Sequence, residues 1–367
     1  MKKLISILIL STLIIPFSSF NSYATDKVIY GDDNRLDYNN MSSSMKKLAD
    51  SVVSLWGASA LMPEGNSYKL DTINFGDTYN LCPEERFREQ KFGAFCSGSL
   101  VGDDIIMTAG HCIEDENDCA NTKFVFGFGT KAKFITSLVG DEDSETSTPN
   151  KISKNDVYSC KHIIKRFLGS EAEFNEFDED GEWTEEDDEF EAAYVNKDLG
   201  ADYALIKLDR QVKGRAPLAI NRGKSAAKGT KLFVIGHPMG LPVKLAKDAS
   251  VRKSDEKKEF FVANLDTYGG NSGSPVFNDK TNLIEGILVR GDTDFVDSAK
   301  GCSISNVLSQ SGGRGEDVTK ISVLSSFIPK LSKKTPNAEE SIATDMSVEN
   351  LLDTGMNELN IPMPAFE

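Results

Sequence analysis

Three segments of the 367-residue sequence carry residue types that could do nucleophilic chemistry together. Met107-Thr-Ala-Gly-His-Cys112 places His111 just after an apolar run. Asp202-Tyr-Ala-Leu-Ile-Lys-Leu208 opens an alternating run on an acid, with Ala204, Ile206 and Leu208 on one face. Gly269-Gly-Asn-Ser-Gly-Ser-Pro275 sets Ser272 in a glycine-rich turn. A serine hydroxyl attacks a carbonyl only when a base takes its proton. The base needs a carboxylate to orient it and stabilise its cation, and the oxyanion needs backbone N–H donors. Glycines beside the serine let the backbone turn tightly enough to aim those donors inward. Each segment alone has an ordinary structural explanation as a loop, a strand start or a turn. Their co-occurrence is the informative observation.

The elements that must position these residues are short. From Phe92 onward, apolar runs of a few residues rich in Val, Ile and Phe recur at 99–101, 105–108, 124–128, 203–208, 231–235, 260–263, 275–277 and 284–289, separated by Gly, Asp, Asn and Pro. Many short strands with almost no helical periodicity describe an antiparallel all-β barrel or sandwich. Residues 45–49 read as a helical stretch running into the apolar 52–56, and 323–331 as a short C-terminal helix. No internal repeat of 20 to 50 residues is present.

Composition bounds the setting. The chain is 39% apolar with a formal charge of -16, enough to bury a sizeable core. Residues 171–191 hold 13 acids and no Lys or Arg, and residues 335–367 hold seven acids and no bases, so the rest is close to neutral. A neutral body has no clustered cations for nucleic acid or anionic lipid, and neither is expected as a partner. Residues 1–24 read as a signal peptide: two lysines, an apolar run of 12 residues over 4–15, then Ser22-Tyr23-Ala24 with no cysteine behind it to accept a lipid. The run is too short to span a bilayer, so a secreted or periplasmic protein without a membrane anchor is expected. In that compartment Cys82, Cys96, Cys112, Cys119, Cys160 and Cys302 are expected to be paired, and no Cys-x-x-Cys favours a structural metal. Within the acidic stretch, Glu176-x-Asp178-x-Asp180-Gly181 with Asp187 twelfth imitates a calcium loop. Glu176 in first place, Asp187 in last and Trp183 depart from the usual residues.

The order His111, Asp202, Ser272 on an exported β-rich chain resembles the trypsin-like serine proteases of the chymotrypsin fold, on the bacterial branch near the glutamyl endopeptidases. The likeness covers 28–331, with 25–27 a short propeptide and 332–367 an acidic tail. It implies two antiparallel six-stranded β-barrels with a cleft between them, followed by the C-terminal helix, in a monomer acting on proteins or peptides without a metal or other cofactor. By this likeness His111 is general base then acid, Asp202 orients it, Ser272 is the nucleophile, and the N–H groups of Gly270 and Ser272 form the oxyanion hole. Asp266, six residues before Ser272, takes the place of the carboxylate at the base of the primary pocket. Thr267 lies beside it, and Val289, Arg290 and Gly291 belong to the substrate-pairing strand. An Asp266 pocket favours cleavage after Arg or Lys, although Arg290 could neutralise that carboxylate instead. Cys96 and Cys112 resemble the histidine-loop disulfide. The other four cysteines allow three pairings, of which relatives suggest Cys82 with Cys119 and Cys160 with Cys302.

Departures matter too. Asn271 replaces the Asp that pairs with a new N-terminus in the animal enzymes, Tyr268 replaces a common cysteine, and Val289 replaces a serine that often donates to the catalytic Asp. Leu288 stands where glutamyl enzymes carry a histidine, which counts against the alternative of cleavage after Glu. The intact trio counts against an inactive protease-fold binding protein. His237, on a Pro/Gly turn, and His162 read as structural. Signal peptidase is predicted to cut after Ala24, and the likeness of Val28-Ile-Tyr-Gly to mature N-termini makes Val28 the first residue of the active form. Mass spectrometry of the exported protein checks both cuts, and full activity in a form retaining 25–27 would show that trimming is dispensable.

Overall fold

A computed structural model describes residues 28–132, 146–169 and 200–331. The signal peptide, the short propeptide, the acidic stretch with its calcium-like loop, and the acidic tail lie outside the described residues. Two short strands, β1 (Ile29–Tyr30) and β2 (Leu36–Asp37), come first among the described residues. A first closed barrel follows from β3 (Val52–Gly57), β4 (Cys96–Gly102), β5 (Ile105–Thr108), β6 (Thr122–Phe126), β7 (Val157–Leu168) and β8 (Asp202–Leu208), in spatial order β6-β7-β8-β5-β4-β3. The second barrel uses β9 (Lys231–Gly236), β10 (Lys244–Ser254), β11 (Phe260–Ala263), β12 (Pro275–Asn278) and β13 (Ile284–Arg290). After the short β14 (Val307–Leu308), β15 (Glu316–Lys320) completes it, in order β9-β12-β13-β15-β11-β10 with β9 pairing back onto β10. Closure leaves neither barrel an open edge. The N-terminal strands attach to the second barrel's side of the fold: β2 extends β10 through Lys244 and Asp37, and β1 runs parallel to β14.

Alternation puts one face of each strand into the barrel interior. Val53 and Leu55 of β3, Ile106 of β5 and Phe124 of β6 join Phe233, Phe277, Ile287 and Val289 of the second barrel in one continuous buried cluster. The two barrels therefore share apolar packing. Three short helices are present among the described residues, Ser43–Ala49, Phe75–Thr78 and Glu116–Asn121. Side-chain oxygens cap each N-terminus; Asp115, for example, accepts from the N–H groups of Asn117 and Asp118.

Two expectations are corrected. The C-terminal stretch is not an α-helix but two 3-10 turns, Ile321–Val323 and Ser325–Phe327. Leu324 and Ile328 are pulled into the core, and Arg222 donates to the carbonyls of Ser325 and Ile328, the first of which no α-helix could use because its i+4 residue, Pro329, has no N–H. Pro329 holds Ile328 extended and stops any continuation. The four remaining cysteines pair as Cys82 with Cys302 and Cys119 with Cys160, not as the relatives suggested, while Cys96 is bonded to Cys112. The reason is local packing. The third helix carries Cys119 and lies against β7, which carries Cys160. Backbone bonds between Cys82 and Ser303, and between Ser303 and Asn80, bring Cys82 beside Cys302.

Candidate active site

His111 sits on a 3-10 turn, Gly110–Cys112, immediately after β5, and Asp202 is the first residue of the adjacent β8. The antiparallel pairing of β5 with β8 delivers the two side chains to one place. His111 Nδ1 lies 2.6 Å from Asp202 Oδ2, while the backbone N–H groups of Gly110 and His111 donate to Oδ1 at 2.5 and 3.2 Å. Because the carboxylate only accepts, Nδ1 carries the proton and Nε2 presents a lone pair. A side chain at Gly110 would collide with the carbonyl of Phe167, 2.6 Å from where its Cβ would stand. Glycine there is what lets the turn close onto the carboxylate.

Asp202 is 1% exposed, and burial raises the carboxyl. Hydrogen bonding and charge from His111, the charge of Arg290 and the Gly110 N–H outweigh that burial and hold it below the usual carboxylate range. These groups, with the His111 N–H, replace the serine that Val289 displaces. Thr319 Oγ1 adds two 3.0 Å bonds to the backbone N–H and carbonyl of Asp202, tying β8 to β15 of the other barrel.

Ser272 comes from the turn between β11 and β12. Its carbonyl accepts from Ser97 N–H at 2.8 Å and lies 3.7 Å from Cys112 Sγ, and its hydroxyl lies 3.4 Å from the Val289 carbonyl. Ser97 also donates through Oγ to the Gly270 carbonyl, accepts there from His237 N–H, and accepts through its own carbonyl from Thr108 Oγ1. The Ser272 turn is thus fastened to β4, whose Cys96 is disulfide-bonded to the residue after His111. Gly273, at φ 89°, lies so close to the Ser97 carbonyl that an added Cβ would stand 2.0 Å from it. Gly270 has φ 74°, and Asn271 turns its side-chain oxygen inward to accept from Ser274. Cys96, His111 and Cys112 place ligand atoms within 4.8 Å of one another, but both sulfurs are in a disulfide and offer no thiolate to a metal.

The residues expected to bind substrate divide. Asp266 and Thr267 are buried and held by the N-terminal segment: Asp266 Oδ1 accepts from Tyr30 N–H at 2.7 Å, and Thr267 N–H donates to the Val28 carbonyl at 3.2 Å. Thr267 Oγ1 also donates to Glu316 at 3.2 Å. Burial pushes the Asp266 carboxyl up to about 7, against the Tyr30 N–H and the charge of Arg35. Arg290 does not neutralise Asp266. Its Nε donates to Asp317 at 3.2 Å and its Nη2 to the Gly200 carbonyl at 2.9 Å. Val289 points into the core, and the Gly291 carbonyl is held by Arg314. Sequence reasoning missed Ser97, Thr319 and Arg35. Ser97 sits inside the Cys96-Ser-Gly-Ser motif; the other two carry no local signal.

His237 is buried, donates Nδ1–H to the Leu241 carbonyl at 3.0 Å and stacks on Phe128. Burial pushes its imidazole down to about 3. The unfolded chain takes up this proton near pH 6.5 and the native fold does not, so stability is lost as pH falls from about 6.5 towards 3. Melting curves across that range should steepen by up to about 1.4 kcal/mol per pH unit from this residue. His237→Asn, less stable at pH 7, should lose that component of the slope.

Residues 151–287 match the family model described as trypsin-like peptidase domain, and residues 85–137 match the model described as trypsin. No curated protein matches the chain. Among solved structures, a Glu endopeptidase bound to MPD is similar at 16% identity and a TM-score of 0.37, covering 81% of this chain and 96% of that one. The Vibrio cholerae VesB protease is similar at 15% identity and a TM-score of 0.41, covering 82% of this chain and 67% of that one. The two family models fall on segments that carry His111, Asp202 and Ser272 and contribute strands to both barrels, and the chain belongs to the trypsin-like peptidases, a family of serine endopeptidases.

Proposed function

We propose that this endopeptidase is exported and works through Ser272, His111 and Asp202, with the N–H groups of Gly270 and Ser272 receiving the oxyanion. The observation that carries the reading is the 2.6 Å contact of His111 Nδ1 with a buried Asp202 carboxylate, next to a strand hydrogen-bonded to the Ser272 backbone. Ser272 Oγ attacks the peptide carbonyl as His111 Nε2 takes its proton, and the imidazolium is stabilised by Asp202. Collapse of the tetrahedral adduct breaks the C–N bond, and His111 returns the proton to the leaving amine. Water, activated by the same imidazole, then hydrolyses the acyl-enzyme. Ser272→Ala should lower kcat by on the order of 10⁶-fold while leaving folding intact, and His111→Ala should match it. Normal turnover by purified Ser272→Ala protein would refute the assignment.

For specificity we propose cleavage after Arg or Lys. Asp266 makes no salt bridge among the described residues, and Arg290, the cation that could have neutralised it, is engaged by Asp317. A buried carboxylate raised to about 7 lacks a counter-charge that a substrate guanidinium or ammonium would supply. The ratio of kcat/KM for Arg over Glu substrates should fall by about a hundredfold in Asp266→Ser. A wild-type preference for Glu, or an Arg preference untouched by the substitution, would show that Asp266 does not set specificity.

A further inference from the structure

Three consecutive residues ahead of the Ser272 turn are each gripped by the N-terminal segment. Asp266 takes the Tyr30 N–H, Thr267 gives its N–H to the Val28 carbonyl, and Tyr268 receives the Arg35 guanidinium 3.9 Å above its ring. None of these contacts uses an α-amine. Arg35 is 1% exposed. Its Nε and Nη2 form a two-pronged pair with Asp33 at 2.9 and 2.6 Å, and Phe87 lies on it at 5.2 Å. A planar cation held this way cannot slide, and its attraction for an aromatic face fixes that face in turn. The grip on Tyr268 bears directly on the glycines behind it. Gly269 and Gly270 have no side chains and Gly270 stands at φ 74°; Asp294 accepts from the Gly269 N–H, Met239 N–H and Ser97 Oγ donate to the two carbonyls, and side-chain restraint comes only from the neighbouring residues. Tyr268 is the neighbour before them, and its carbonyl accepts from Asn271 N–H at 3.2 Å to close the turn. Asn271, the neighbour after, has no charge with which to pair.

We propose that Arg35 is a positioning residue for the oxyanion turn: stacked on Tyr268 and locked by Asp33, it helps hold Gly269 and Gly270 so that the Gly270 N–H meets the substrate carbonyl. This rests on the roles given above to Ser272 and Gly270. Loss of one oxyanion donor costs on the order of 10² to 10³ in rate, and a strand that samples other conformations loses part of that.

The test uses the exported protein with its three disulfides verified by peptide mapping and its fold by melting. A fluorophosphonate probe reads the reactivity of Ser272 with the oxyanion hole, and peptide hydrolysis gives kcat and KM separately. Arg35→Met should slow labelling per folded molecule and lower kcat by about 10- to 100-fold, with KM within about twofold. Arg35→Lys should recover part of kcat, because an ammonium can still sit over the ring. Asp33→Asn leaves Arg35 in place but unlocks it, and should lower kcat severalfold in the same sense. Folded Arg35→Met with wild-type labelling and kcat overturns the proposal. If Arg35→Met does not fold, wild-type labelling and kcat in Asp33→Asn overturns it. Labelling of the wild type somewhere other than Ser272 would instead bring down the catalytic assignment, and this inference with it.

Discussion

The arrangement depends on Ser97, a fully buried residue of the first barrel whose polar groups are satisfied mostly by the second. Its N–H goes to the Ser272 carbonyl, its hydroxyl bridges His237 N–H to the Gly270 carbonyl, and its carbonyl receives Thr108 Oγ1. A buried polar group left unpaired costs about 1 to 3 kcal/mol, so separating the barrels here would expose several such costs together. His111 and Asp202 come from the first barrel and Ser272 from the second, and this one strand position ties the Ser272 turn to the first barrel. The Cys96–Cys112 bond beside it holds the histidine turn to the same strand.

Charge is managed in two different ways on either side of that seam. Asp202 is surrounded by donors and cations, so burial does not neutralise it, and it remains the anion that an imidazolium needs. Asp266 receives a backbone N–H and little charge, so burial dominates. In the proposed mechanism the first carboxylate stabilises the proton transfer. The other is left short of a counter-charge, which is the electrostatic condition for recognising a cation.

The N-terminal segment is the structural link between these halves of the problem. Lys244 pairs with Asp37 at 2.8 Å and with Gln90 in a buried site, anchoring β2 to the second barrel. Upstream of that anchor, Arg35, Tyr30 and Val28 reach Asp266, Thr267 and Tyr268 in the segment that leads to Ser272. Phe75, Leu81 and Leu241 pack around Ile29 and Tyr268, and the Cys82–Cys302 bond closes the same region covalently. Segments distant in sequence, around Ile29, residues 75–82, Leu241 and Cys302, therefore pack together around Tyr268, the residue before the glycine-rich turn.

How much of this was legible in the chain depends on the range of the interactions. The short Val- and Ile-rich runs between turn residues announced an antiparallel all-β barrel or sandwich, because strand periodicity and turn chemistry are local, and the family resemblance supplied the two barrels. The His111, Asp202 and Ser272 segments were legible for the same reason: tight turns and strand starts write their requirements into neighbouring residues, as at Gly110 and Gly273. The partner of Cys82 was not legible, since it lies 220 residues away and is chosen by a backbone pairing with Ser303. Nor were the partners of Asp266 and Arg290, each a charged side chain with several sequence-plausible counterparts. The stretch 323–331 looked helical by pattern and became two 3-10 turns: Pro329 within it has no N–H to give the Ser325 carbonyl, which Arg222 takes instead. The sequence by itself determined which residues could do the chemistry. Which buried charge meets which partner was decided only by the tertiary structure, because a buried ion is stabilised by whatever donors the packed chain brings within hydrogen-bonding distance.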